Sequence, residues 1–260
     1  MVIDDVVIVE RDGPTAIIRI NRPRKLNALN RPIFDAMMTR LDDIERDESL
    51  RAAIITGTGR AFCAGADIGE YWRQGPGAFS EFQRLGRSLH QRIETLPQPV
   101  IAAVNGFALG GGFELALACD LIVAHEQAVF GLPEPTLGLI PGGGGTQRLT
   151  RAVGRYRARE ILLTGRRLTA REAQEWGVVS AVAPMGEEVR VARELADGIA
   201  RQAPLPIRAL KRLVSEGADA PLETALSYEQ QTLIGLYATD DGQEGIAAFM
   251  EKRPPTFTGR

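Results

Sequence analysis

Five apolar residues, Val100-Ile101-Ala102-Ala103-Val104, run into Asn105-Gly106 and, three residues later, into Gly110-Gly111-Gly112. A short apolar, β-branched run after Pro99 reads as a buried strand. The Asn-Gly pair reads as the turn that ends it. The apolar segment 113–119 has helical character, so the glycines stand at a helix start. Glycine there lets another backbone approach closely. It also leaves N–H groups bare, at the end of a helix that favours negative charge. Glu114 falls in the first turn, and Glu134 follows in a Pro-flanked loop. Each feature alone is ordinary: a first-turn Glu complements the helix dipole, a lone loop Glu is usually solvated, and a glycine triplet can serve packing alone. Two carboxylates and a set of exposed N–H donors in one apolar neighbourhood suggest chemistry at a carbonyl.

The rest of the first part alternates strands and helices. Residues 6–9 and 15–20 read as strands joined by Asp12-Gly13-Pro14. Asn30 caps a helix with Pro32 in its first turn. Ile33, Phe34, Met37, Met38, Leu41 and Ile44 line one face of that helix, and Asp35, Asp42, Asp43, Glu45 and Asp47 lie opposite. Residues 52–56 form another buried strand, 71–77 a mobile loop carrying Trp72, 79–96 a helix, 121–124 a strand and 178–182 the last strand. Thr169 and Glu172 make a capping-box pattern. Beyond Met185 the pattern is helical, with breaks near Pro204, Pro221 and Asp240-Asp241-Gly242. This asymmetry gives an α/β core, residues 1–200, and a C-terminal helical region, 201–260, suited to self-association.

The chain has 260 residues, a net charge of −2 and 44% hydrophobic residues, enough for a full core and without the basic footprint of a nucleic-acid or membrane binder. Cys63 and Cys119 are its only cysteines, so no disulfide framework or cysteine metal site is expected. His90 and His125 have no ligand or triad partner at useful spacing and read as surface residues. The first residues lack the basic-then-apolar pattern of a signal peptide, no stretch approaches a membrane span, and a cytoplasmic protein is expected. The glycine clusters are not nucleotide motifs: Gly142 to Gly145 is followed by Thr-Gln with no Lys, no G-x-G-x-x-G follows the first strand, and no G-x-S-x-G elbow occurs.

In order along the chain, Arg22-Pro23-Arg24-Lys25-Leu26-Asn27-Ala28-Leu29, Ala64-Gly65-Ala66-Asp67, Val104-Asn105-Gly106, Gly110-Gly111-Gly112-Phe113-Glu114-Leu115-Ala116 and residues 141–149 resemble the enoyl-CoA hydratase/isomerase (crotonase) superfamily, as does Ala248-Phe249-Met250-Glu251-Lys252-Arg253-Pro254 near the end. The likeness extends from about residue 7 to residue 257. It implies a spiral of ββα units with a helical trimerisation region, assembled as a homotrimer or a hexamer made of two trimers. It implies an oxyanion hole made by the N–H groups of Ala66 and Gly111, and an acyl-CoA thioester as substrate. The members that hydrate carry both carboxylates, so Glu114 is expected as the base that activates water and Glu134 as the acid that protonates Cα.

By the same resemblance Arg24, Lys25 and Leu26 meet the CoA phosphates and pantetheine, Ala64, Asp67 and Ile68 frame the adenine, and Gly69 and Gly110 belong to the same CoA site. Many hydratases carry Lys where this chain has Gly69, which weakens that contact. Phe249 and Lys252 complete the CoA site of a neighbouring subunit, and the Trp72 loop and the C-terminal helices shape the acyl pocket. No metal and no cofactor are expected, since CoA belongs to the substrate. A Δ3–Δ2 isomerase or a specialised acyl-CoA dehydratase of the same superfamily is the nearest alternative, but isomerases of this kind commonly use one carboxylate. An RNA-binding branch of the superfamily uses a Lys-rich helix, whereas the corresponding helix here is acidic.

Overall fold

The structure, a computed structural model, describes residues 5–260, so the reading of the extreme N-terminus falls largely outside the described residues. A hairpin of β1 (Val7–Asp12) and β2 (Thr15–Ile20) opens the chain. Helix α1 (Arg31–Arg46) follows, its Asn30 side chain accepting the Ile33 N–H as the capping pattern requires. Three strand pairs come next, each a longer strand followed by a shorter one: β3 (Ala52–Gly57) and β4 (Ala61–Cys63), β5 (Val100–Val104) and β6 (Phe107–Leu109), β7 (Leu121–His125) and β8 (Val129–Gly131). Helix α2 (Pro76–Thr95) separates the first two pairs and α3 (Gly111–Leu117) the second two; α4 (Gly145–Thr164) follows the third.

The longer strands enter a six-stranded sheet, in which β2, β3, β5, β7 and the later β10 (Ala181–Ala183) run parallel. The shorter strands build a second sheet, β4-β6-β8 parallel, closed by an antiparallel β9 (Leu168–Thr169). Each ββα turn thus advances one strand in both sheets, which is the expected spiral. The consequence for the site is direct. The ends of β4, β6 and β8 lie side by side, so Ala66, Gly111 and Glu134, each two or three residues beyond its short strand, come out along one edge.

Both faces of the large sheet are covered, so its strands read as unbroken apolar runs. Ile18, Ile20, Ala53, Ile55, Ala102 and Val104 face a core shared with α1 and α2. Ile17, Ile54, Ile101 and Val123 face the opposite way, against Ala192 and Ala196 of α6 (Glu188–Ala200). Helix α5 (Ala170–Glu175) carries the capping box of Thr169 and Glu172. Beyond α6 lie α7 (Pro204–Gly217), α8 (Leu222–Tyr237) and α9 (Asp240–Glu251), divided at the breaks read from the sequence.

Several expectations are corrected. The last strand is Ala181–Ala183 rather than 178–182: Val178 and Val179 are buried, but in the turn that leads into it. Strands β4, β6 and β8 were not expected, because three residues are too few to display an alternation. Both histidines are buried, not on the surface. Their partners are main-chain groups: His90 Nδ1 meets the Gly143 carbonyl at 2.9 Å and His125 Nε2 the Asn105 carbonyl at 2.9 Å. A search for side-chain partners by spacing is blind to such contacts. Among the described residues no helix is long and apolar enough to cross a membrane.

Candidate active site

At the end of β4 the chain makes one parallel bridge with Leu29. The Leu29 N–H donates to the Gly65 carbonyl and the Asp67 N–H to the Leu29 carbonyl, each at 2.8 Å. In that pattern residue 66 faces away from its partner, and its own N–H is left free. At the end of β6, Gly110 has φ 51° and ψ −126°, a conformation that only glycine adopts readily. It turns the chain into α3 so that Gly111 supplies the first helical amide, which has no acceptor one turn earlier. Neither N–H is taken up by another protein group among the described residues. They are close: a Cβ placed on Gly111 would lie 3.5 Å from the Ala66 nitrogen. Gly112 holds the two segments together, since a Cβ there would stand 2.0 Å from the Cys63 carbonyl oxygen.

Glu114, one turn into α3, is 4% exposed, and its Oε1 accepts the N–H groups of Gly143 and Gly145, both at 2.8 Å. The second glycine run therefore wraps the carboxylate, and side chains at those positions would collide with it. Burial raises the Glu114 pKa; the two amides and Arg148 oppose this without cancelling it. Glu134 begins a 3-10 turn just after β8. Its Oε1 lies 3.0 Å from where a Cβ on Gly110 would be, and its Oε2 is buried without a partner among the described residues. Burial, with the charge of Glu114 adding to it, pushes the Glu134 carboxyl up to about 7. Both carboxylates, both free amides, Ala64, Ile68 and Gly110 line one cavity of about 140 Å³.

The match to known proteins agrees with this arrangement. Residues 10–260 match the model of the family described as enoyl-CoA hydratase/isomerase. The chain belongs to the enoyl-CoA hydratase/isomerase family. Among its relatives, the 2,3-dehydroadipyl-CoA hydratase of Escherichia coli is 42% identical over 254 residues, covering 98% of this chain and 99% of that one. The short-chain-enoyl-CoA hydratase of Clostridium acetobutylicum is 41% identical, covering 95% of each. A solved enoyl-CoA hydratase from Bacillus anthracis superimposes with a TM-score of 0.95 at 41% identity, over 98% of this chain and all of that one. The crotonase fold of this family member is thereby shown.

The remaining expected site residues are spread more widely. Leu26 is tied to Ala64, whose N–H donates to the Leu26 carbonyl at 3.0 Å, and Arg24 and Lys25 stand exposed in the 3-10 turn before it. That turn is locked by Asn27, fully buried, whose amide donates to the Thr58 and Ala61 carbonyls. Asp67 pairs with Arg22 at 2.6 Å and caps Gly69, so both lie beside the cavity rather than in its wall. Phe249, 82% exposed on α9, and Lys252 at its end do not line the cavity of their own chain. From the 71–77 loop it is Tyr71 that lines the cavity, while Trp72 is 64% exposed under the Arg73 guanidinium. The C-terminal helices α7–α9 contribute nothing to that wall within the chain. The expected loop also stops early, at Gly75, where Pro76 opens α2. The sequence reading missed the far wall, Phe79, Phe82, Gln83, Gly86, Arg87 and His90, although these recur at helical spacing along one face of α2.

Proposed function

We propose that this chain adds water across the 2,3 double bond of a 2-enoyl-CoA to give the 3-hydroxyacyl-CoA, with no coenzyme beyond the CoA of the substrate. The observation that carries this reading is the pairing of Glu114 and Glu134 in one cavity with two unengaged amides. The thioester oxygen accepts the N–H groups of Ala66 and Gly111. Attack at Cβ moves charge onto that oxygen, and each preorganised donor is worth roughly 3 kcal/mol to the enolate-like transition state. Glu114 takes a proton from water as the oxygen bonds to Cβ. Its Oε1 is held by two amides, which favour the carboxylate, and Oε2 is left for the water. Glu134, with an unpartnered Oε2 and a pKa near neutrality, delivers a proton to Cα. One C–O and one C–H bond form, the π bond is lost, and the proton gained by Glu114 balances the one given by Glu134.

The acyl chain proposed is short. A cavity of about 150 Å³ holds one benzene ring, and the space here is about 140 Å³, walled by Phe34, Phe79 and Phe82. The short-chain relative fits this reading. With a series of 2-enoyl-CoA substrates, kcat/KM is expected to be highest at four to six acyl carbons (about that range, by the benzene comparison) and to fall about tenfold or more at ten. A profile rising towards long chains would refute the assignment.

We also propose a trimer-based assembly, with a hexamer as its full form. Leu222, Leu226 and Leu233 of α8 and Phe249 and Met250 of α9 are exposed, an apolar surface that a single chain does not bury. Light scattering at micromolar concentration is expected to give a trimer or a hexamer; a monomer would contradict it. Phe249 and Lys252 then lie on the surface where one subunit meets the CoA of the next.

A further inference from the structure

His90 is buried to 98%, lines the cavity from α2, and has no role in the chemistry above. Its one hydrogen bond runs from Nδ1 to the carbonyl of Gly143 at 2.9 Å. A carbonyl can only accept, so Nδ1 carries the proton, and Nε2 is left as a buried acceptor without a partner among the described residues. Burial holds the ring neutral, with its pKa lowered to about 4. The same Gly143 carbonyl accepts from Arg148 at 2.9 Å, and Arg148 is itself held by Glu94 at 2.7 Å. On either side of that carbonyl stand the amides of Gly143 and Gly145 that grip Glu114. The packing is close: a Cβ on Gly143 would lie 2.5 Å from the His90 ring and 2.8 Å from Glu114 Oε2.

We infer that His90 is a positioning residue for Glu114: by donating Nδ1–H to the Gly143 carbonyl it fixes the glycine loop whose amides aim the carboxylate at the water. The inference rests on the proposed role of Glu114. Four glycines in a row, Gly142 to Gly145, have no side chains to hold their own geometry, so the loop depends on donors from α2 and α4. Arg148 alone cannot replace the ring, because it approaches from α4, on which the loop itself ends. Misplacing a reacting group by about 1 Å can cost up to about a hundredfold in rate.

The test is crotonyl-CoA hydration across pH by His90→Asn, His90→Gln and His90→Leu. Asn keeps an N–H donor at the δ position; Gln moves it one bond outward; Leu removes it. His90→Asn is expected to keep kcat within about threefold of the parent, while Gln and Leu lose about tenfold or more with KM little changed. Slackened amides let the Glu114 pKa climb, so in the Gln and Leu variants the acid limb of kcat moves to higher pH. The charged groups facing Glu114 are Arg148 from α4, with Glu94 of α2 behind it, and Glu134 from the turn after β8; all are retained in every variant. An acid limb unmoved in Gln and Leu, or an Asn variant as poor as Leu, overturns the inference. If Leu does not fold, the Asn and Gln pair decides. Glu114→Gln separates the two levels. Normal turnover in that variant removes the role of Glu114 and the inference with it. A dead Glu114→Gln beside wild-type His90→Gln removes the inference alone.

Discussion

Glu114→Gln and Glu134→Gln are each expected to lower kcat for crotonyl-CoA hydration by at least ~10²-fold, with the double variant little below the poorer single one. The amide keeps the shape of each side chain but cannot take the proton from water or deliver one to Cα. In the proposed reaction the two groups act on one water and one double bond, so losing the second after the first should cost little more. Crotonyl-CoA binding is expected to survive in both, because the proposed contacts of its thioester, the Ala66 and Gly111 amides, are main-chain groups. The pH dependence carries a sign. In its proposed role as the acid Glu134 must be protonated, and its carboxyl is pushed up to about 7, so kcat is expected to fall as pH rises through that value. Stability follows the same group. A carboxyl whose folded pKa is raised binds its proton more tightly when folded, so its contribution is lost as pH climbs from the ordinary Glu range through about 7. Glu134→Gln removes that loss. It is expected to raise Tm at pH 8 by at least about 2 °C more than at pH 5. An equal shift at both pH values would deny the buried, raised carboxyl.

Gly112→Ala is expected to destabilise the protein by about 3 kcal/mol or more, at the upper end of overpacking costs. The added Cβ would stand 2.0 Å from the Cys63 carbonyl oxygen and 2.7 Å from its carbon. Both are main chain of β4, and the methyl rides on the main chain of α3, so no rotamer relieves the clash. The strand end and the helix start must separate, and they are the segments that carry the two free amides. Gly111→Ala is the matched control. Its Cβ meets nothing nearer than 3.5 Å, an ordinary contact, so the fold is retained within about 1 kcal/mol. That contact is with the Ala66 nitrogen, so the methyl would crowd the place proposed for the thioester oxygen, and kcat/KM is expected to drop. Urea unfolding and steady-state kinetics on the two variants distinguish a packing glycine from a site glycine. Equal stability of both would contradict the close approach of β4 and α3.

What the sequence revealed about this site follows from which interactions are local. The strand at 100–104, the cap at Asn30, the capping box at Thr169 and the breaks between the C-terminal helices depend on neighbouring residues, and all are present. The glycine triplet and the two glutamates were legible as chemistry because they stand close in sequence, and the resemblance supplied the spiral. The three short strands were illegible, yet they set Ala66, Gly111 and Glu134 on one edge. His90 was misread because its partner is a main-chain carbonyl 53 residues away. The α2 wall was not read as part of the site, since a stripe of Phe79, Phe82 and Leu89 has the same periodicity whether it faces a core or a cavity. Trp72, conspicuous in the sequence, points outward, and the less conspicuous Tyr71 points in.

The most direct measurement is the fate of crotonyl-CoA incubated with the purified protein in water labelled with ¹⁸O and deuterium. The expected product is 3-hydroxybutyryl-CoA with one labelled oxygen at Cβ and one deuterium at Cα, formed by the wild-type chain and more than ~10²-fold more slowly by Glu114→Gln and Glu134→Gln. Unchanged substrate, a product without the oxygen label, or full labelling by either Gln variant at the wild-type rate would contradict water addition by this pair of carboxylates.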